Sequence, residues 1–407
     1  MATPFQIAVP DAELQRLHQK LEIATFPDEL DGAEWDMGVP LNEMKRLTAY
    51  WHNGFNWRQK EQELNEKLSQ FIVPVTVASF GELNIHCLHH TSGNPNAIPL
   101  LFIHGWPGCF LEATKLIPLL TTGDENHPAF DLVVPSLPNY GFSSAVKKKG
   151  FGLAQYAEAM HSVMIALGYN EYVVQGGDWG SLIGRAMARL YPDHTKAVHV
   201  NFFPVAPPYP WTHPLLFLRS LLTIPFSSKD KASLAATQDY LAKGNGYLRQ
   251  QETRPQTLGY ALHDSPIALL AWIYDKLHSW TDDYQWSDDE ILTWVSVYYF
   301  STAGPAASVR IYYEAGPNCA SQISTLDVLS KPAPSGVKMA VAQFNRELAK
   351  IPLSWTSLVG SVIRSKEYER GGHFAAWEVP ELLAYDIQSF LGRNGQGYGA
   401  IPGKNGY

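Results

Sequence analysis

Gly176-Gly177-Asp178-Trp179-Gly180-Ser181 follows a short apolar run, Tyr172-Val173-Val174, and precedes a helical pattern from Leu182 to Leu190. Strand, sharp glycine-flanked turn and helix make the arrangement of a nucleophile elbow, where small residues let the backbone fold tightly and present one side chain. The usual occupant of the presented position is Ser or Cys. Here it is Asp178. A carboxylate in that place implies a reaction other than ester or peptide hydrolysis.

Outward from this stretch the pattern repeats. Pro99-Leu100-Leu101-Phe102-Ile103, Phe130-Asp131-Leu132-Val133-Val134 and Ala197-Val198-His199-Val200 are further short apolar runs, with helical stretches at Leu111–Leu120 and Leu153–Leu167. Buried strands alternating with helices predict a parallel sheet covered on both faces. Ile72–Val77 and Asn84–His89 alternate partially, as the antiparallel first strands of a mixed sheet do. Residues 1 to about 70 read as helices and loops. Asp11 is expected to cap a helix through Leu14, Leu17 and Leu21, and Leu41–Trp51 and Trp57–Phe71 carry apolar residues at helical spacing. From Phe202 to about Gly316 the strand–helix alternation stops, and a helical insertion rich in aromatics is expected. The pattern resumes with Val337–Ala342, Val362–Lys366 and a helix from Pro380 to Phe390. The tail after Gly392, with five glycines and one proline, is expected to be loosely ordered.

Of the 407 residues 45% are apolar and 17% charged, so a sizeable core is expected and disorder is not. A net charge of -8 with no basic stripe argues against a nucleic-acid or anionic-membrane partner. Cys87, Cys109 and Cys319 form no metal spacing, and the sparse count suits a reducing compartment. The N-terminus lacks a basic segment followed by an apolar one, and no stretch approaches the roughly 20 apolar residues of a spanning helix. A soluble, cytoplasmic protein is expected.

A triad built on such an elbow runs nucleophile, acid, base along the chain. His373, in Arg370-Gly371-Gly372-His373-Phe374 after the last strand, is the candidate base. The acid should follow Val337–Ala342. Glu347 is preferred there, with Asp327 the alternative, and its task is to orient the imidazole. His194 and His199 lie near the elbow in sequence and are read as structural. His104-Gly105-Trp106-Pro107-Gly108 follows Pro99–Ile103, where such folds supply one oxyanion-hole N–H. That nominates the backbone amides of Trp106 and Trp179, with Trp106-Pro107 a candidate cis bond.

Chemistry explains the aspartate. A carboxylate attacking an sp3 carbon displaces oxygen or halide and forms an alkyl ester, which water can cleave at the carbonyl of Asp178 itself. A serine would leave a stable ether. Asp178 therefore points to epoxides or haloalkanes. An epoxide oxygen needs a proton donor, for which phenols are suitable, and composition does not choose among the tyrosines of the insertion.

Gly176–Ser181, His104–Gly108 and Gly371-Gly372-His373-Phe374-Ala375-Ala376-Trp377-Glu378 resemble the signatures of the microsomal-type epoxide hydrolases. Trp57-Arg58 with Leu64-Asn65, and Thr253-Arg254-Pro255-Gln256-Thr257 through Asp264-Ser265-Pro266, are similar as well. The resemblance implies an α/β-hydrolase fold: a mostly parallel eight-stranded sheet covered by helices. Residues 1–92 would form an N-terminal extension with the first strands, 93–201 and 317–407 the core, and 202–316 a helical lid. It implies Tyr247 as one donor and Tyr312 as the other, with Tyr313 a near rival. Glu347 matches the acid of the mammalian members, whereas soluble fungal members often have Asp; the chain otherwise resembles the fungal branch, without a membrane anchor.

The activity implied is conversion of a small hydrophobic epoxide and water to a vicinal diol, without metal or organic cofactor. The resemblance also favours a homodimer. Haloalkane dehalogenation with the same nucleophile, or ligand binding without catalysis on the same scaffold, are the alternatives.

Overall fold

The computed structural model describes residues 1–316 and 322–407; Cys319 and the expected start of the second core part at residue 317 lie outside the described residues. Among the described residues one mixed sheet has nine strands: β1 (Thr3–Pro4), β2 (Gln70–Val77), β3 (Gly81–His90), β4 (Ile98–Ile103), β5 (Phe130–Pro135), β6 (Tyr172–Gly176), β7 (Thr195–Val200), β8 (Lys338–Gln343) and β9 (Ser361–Glu367). Their spatial order is β1-β2-β3-β5-β4-β6-β7-β8-β9. The pairs among β1, β2, β3 and β5 are antiparallel, and every pair from β5 through β9 is parallel.

The count corrects the expectation of eight. Strand β1 is two residues long and pairs Thr3 with Ile72 and Pro4 with Phe71 at the sheet edge. No alternation can be read from two residues, and proline is tolerated only where its missing N–H faces outward. All residues of β4 and β6 are buried, as strands covered on both faces require. The helices Leu153–Ala166 and Asp178–Leu190 pack together on one face.

Three local expectations change. Asp11 is the first residue of helix Asp11–Glu22 rather than its cap; Pro10 precedes it and Arg58 pairs with its carboxylate. The helix expected over Leu111–Leu120 is broken into a short turn, Phe110–Ala113, and a five-residue helix, Ile117–Thr121. The tail is packed down: Ile401 is buried, the Ala129 N–H donates to the Gly406 carbonyl, and the Gly406 N–H donates to that of Asn96. A Cβ at Gly406 would strike Pro128, so this glycine serves close contact instead of looseness.

The N-terminal helices clasp the insertion between β7 and β8. Trp35 stacks on His278, Trp57 packs on Phe300, and Arg46 and Lys60 pair with Asp288 and Asp289. The segment Trp57–Asn65 also fixes the chain start. Glu61 accepts from the Val9 N–H, and the Asn65 amide both accepts from and donates to the Ile7 backbone. No helix among the described residues is long and apolar enough to cross a membrane.

Candidate active site

The elbow works by close contact. Strand β6 ends at Gly176 and the helix begins at Asp178. A Cβ at Gly180 would collide with the Ile103 carbonyl at the end of β4, and one at Gly176 with the Gly180 backbone. Glycine at both positions lets the helix start lodge against the strand ends. The strained residue is Asp178 itself, at φ 45°, a left-handed conformation that costs a non-glycine residue about 1–3 kcal/mol. Its side chain is thereby turned off the helix axis and is 14% exposed.

Three segments far apart in sequence meet that carboxylate. The Trp106 N–H donates to Asp178 Oδ1 at 2.8 Å. His373 Nε2 lies 3.3 Å from Asp178 Oδ2, and His373 Nδ1 lies 2.6 Å from Glu347 Oε1. His373 and Glu347 are both buried. The Trp179 amide occupies the second helical position, where no intrahelical carbonyl is available to it. Asp327, the alternative acid, instead closes a capping box with Ser324 at helix Thr325–Ser330 and pairs with Lys331. His199 pairs with buried Asp386, and His194 bonds the Asn170 carbonyl.

The supporting loops explain these positions. His104 Nε2 accepts from the Leu137 N–H, so Nδ1 carries the proton and donates to the Gly105 carbonyl. Burial pushes this imidazole down to about 4, which keeps it neutral. The Trp106–Pro107 bond is cis. From helix Asp288–Tyr299, Trp294 Nε1 donates to the Pro107 carbonyl and the Tyr298 hydroxyl to that of Gly108. The histidine loop is tied to the insertion: the His373 N–H donates to the Trp280 carbonyl and the Gly371 N–H to Asp282. Glu378 accepts from the backbone N–H groups of Asp282, Gly372 and Phe374.

Burial alone would lower the His373 pKa. The negative charge of Glu347 and the hydrogen bond to Asp178 outweigh it, and the imidazole is held well above its ordinary value. The arrangement thus favours the protonated imidazole, set between Asp178 and Glu347. A raised folded-state pKa contributes stability that is fully present below the unfolded value near 6.5 and is lost as pH rises through the folded one. The melting-temperature advantage of wild type over His373→Gln should accordingly be largest below about pH 6.5 and shrink at alkaline pH. An advantage independent of pH would remove the charged pair.

Two tyrosines of the insertion lie near enough to Asp178 to feel its charge. The Tyr312 ring packs edge-on against Trp106, Trp179 and Tyr247 with centroids 5.8, 5.1 and 5.9 Å away. Its hydroxyl is buried with no hydrogen-bond partner among the described residues. Tyr247 stacks on Trp106 and its hydroxyl lies 2.8 Å from that of Tyr240. Burial raises both phenols well above their ordinary range, so they are protonated donors at neutral pH. Tyr313, the rival to Tyr312, lines a separate cleft of about 740 Å³ with Lys149 and Tyr260.

Three residues of this region were not found by sequence reasoning. Tyr240 opens a π-helical turn seven residues before Tyr247, two turns of helix and so a same-face spacing that could have been read. Glu112 is a lone acid in the apolar run Phe110-Leu111-Glu112-Ala113, itself a signal. Trp280 gave no signal, because it contributes a backbone carbonyl.

Known proteins share this arrangement of chain and fold. A family model for the epoxide hydrolase N terminus matches residues 2–113, and one for the alpha/beta hydrolase fold matches residues 98–222. Epoxide hydrolase 1 of Sus scrofa is 34% identical, covering 96% of this chain and 88% of its own length. The solved structure of Aspergillus niger epoxide hydrolase superposes with a TM-score of 0.80 at 30% identity, over 96% of this chain and 95% of that one. The juvenile hormone epoxide hydrolase of the silkworm Bombyx mori superposes with a TM-score of 0.84 at 29% identity, over 95% and 93%. With its α/β-hydrolase fold and a relative of this identity matched over nearly its whole length, the chain belongs to the epoxide hydrolase family.

Proposed function

We propose that this hydrolase converts epoxides to vicinal diols in two covalent steps. In the first, Asp178 Oδ2 attacks a ring carbon, the C–O bond breaks, and Tyr247 or Tyr312 gives the departing oxygen a proton. The resting imidazolium is the acid from which the phenol is restored. In the second, His373, oriented by Glu347, takes a proton from water, whose oxygen attacks the Asp178 carbonyl carbon. The Trp106 and Trp179 amides hold the oxyanion. One proton of the water ends on His373, restoring the imidazolium, and the other on the departing alcohol. Esterification also removes one of the two negative charges that raise His373, which makes it a stronger acid and frees the neutral base.

The observation that carries this reading is the Tyr312 hydroxyl, buried beside Tyr247 without a hydrogen-bond partner among the described residues and near enough to Asp178 to feel its charge. An orphaned buried hydroxyl costs about 1–3 kcal/mol, which an epoxide oxygen would relieve. Paired phenols suit an alkoxide leaving group better than a halide, and so favour epoxides over haloalkanes. The helices between β7 and β8 act in this reading as the lid that carries these donors.

A single turnover in oxygen-18 water should leave the first diol unlabelled and place the label in Asp178. Label in that first diol would sink the covalent route. Tyr312→Phe should lower kcat/KM toward styrene oxide about 10- to 100-fold, while the melting temperature holds or rises because the orphan is gone. Unchanged kcat/KM in this variant would take Tyr312 out of the reaction.

A further inference from the structure

The short turn Phe110–Ala113 is buried throughout, and it delivers one carboxyl into the interior. Glu112 is 8% exposed. Its carboxyl folds over Gly108, where a Cβ would take the place of Oε1, so glycine at 108 keeps the acid against the oxyanion loop. A cavity of about 10 Å³ lies there, walled by Gly105, Gly108, Glu112, Asp178, His373 and Phe374. That is room for about one water molecule, and the three polar side chains around it meet the two to four partners a buried water requires.

We infer that Glu112 is a further catalytic residue, which holds the hydrolytic water from the side opposite His373. This rests on the two-step reading above. The water oxygen forms the bond to the Asp178 carbonyl carbon, one hydrogen passes to His373 Nε2, and the other is held by a Glu112 carboxyl oxygen. The tetrahedral intermediate then breaks its bond to the alcohol oxygen, which takes the second proton, and Asp178 is released as carboxylate. Glu112 ends as it began. Two fixed hydrogen-bond acceptors set the water's lone pair toward the carbonyl, which is where positioning lowers the barrier.

The electrostatics suit this sequence. Burial pushes the Glu112 carboxyl up to about 8; the positive charge of His373 opposes this and the negative charge of Asp178 adds to it. On esterification the Asp178 charge is lost, and so is the positive charge of His373 once that residue has given up its proton; burial then still favours the neutral Glu112 carboxyl, whose carbonyl oxygen is the acceptor for the water.

The test separates the half-reactions by rapid quench with styrene oxide, reading the alkyl ester by intact-protein mass. Glu112→Met keeps the volume and removes both oxygens; ester formation should stay within about threefold and ester hydrolysis slow about 100-fold. Glu112→Gln, the more conservative fold, keeps one carbonyl acceptor and should slow hydrolysis about tenfold with the same split. His373→Gln serves as the reference that traps the ester. If the ester is trapped there but both Glu112 variants hydrolyse it within threefold of wild type, the role of Glu112 is overturned alone. If formation and hydrolysis fall together, Glu112 is structural and the inference is equally overturned. If no ester appears even in His373→Gln, the two-step reading fails and takes this inference with it.

Discussion

Asp178→Asn should fold normally and form diol from styrene oxide at least about 10⁴-fold more slowly than wild type when read within minutes. The amide is isosteric with the carboxylate, so the Trp106 N–H keeps an acceptor and the elbow keeps its geometry. What is lost, on the proposed mechanism, is the nucleophile. Asparagine has no anionic oxygen with which to open the ring, and the carboxylate is the one group in the elbow aligned on His373. The strain at Asp178 is unaffected, because asparagine tolerates left-handed backbone about as well as aspartate. The melting temperature at neutral pH should fall modestly, as the imidazolium loses one of its two anions. An equally active variant would remove Asp178 from the mechanism.

His373→Gln should lose turnover by about 10³–10⁴-fold yet still consume about one equivalent of epoxide. On the proposed mechanism the nucleophile and the tyrosine donors remain in this variant, so the first step proceeds while the second has no base. The predicted signature is a burst of ester, visible as an added substrate mass, followed by near-silence. The burst itself should be slower than in wild type, because the imidazolium that restores the phenol is absent. Rapid quench would decide it: multiple turnovers at an undiminished rate would exclude His373 as the base. Any loss of the first step exceeding that of the second would equally defeat the assignment.

Much of the core was legible because its physics is local. Strands β4, β6 and β7 are covered on both faces, so each reads as a continuous apolar run, and the elbow's small residues stand in one six-residue stretch. Strand β1 was illegible because its pairing partner, not its composition, makes it a strand. The tail was misread because glycine marks both slack chain and close contact, and Gly406 against Pro128 is the second kind. Within the site, Asp178 and His373 stand in motifs whose spacing is itself a signal. Glu347 was found from strand order alone. Glu112 and Tyr240 come within reach of the Asp178 charge only after β4 and the insertion are brought together, which no window along the chain displays.

The backbone of the His373 loop is hydrogen-bonded to the insertion as well as to the segment that follows β8. Trp280 and Asp282 bind the loop from above, and Glu378 clamps the loop to Asp282 from below. The histidine loop and the insertion are thus joined as one mechanical part. A substitution that displaces the segment Trp280–Asp282 would therefore displace the His373 main chain with it, even with the loop's own residues unchanged.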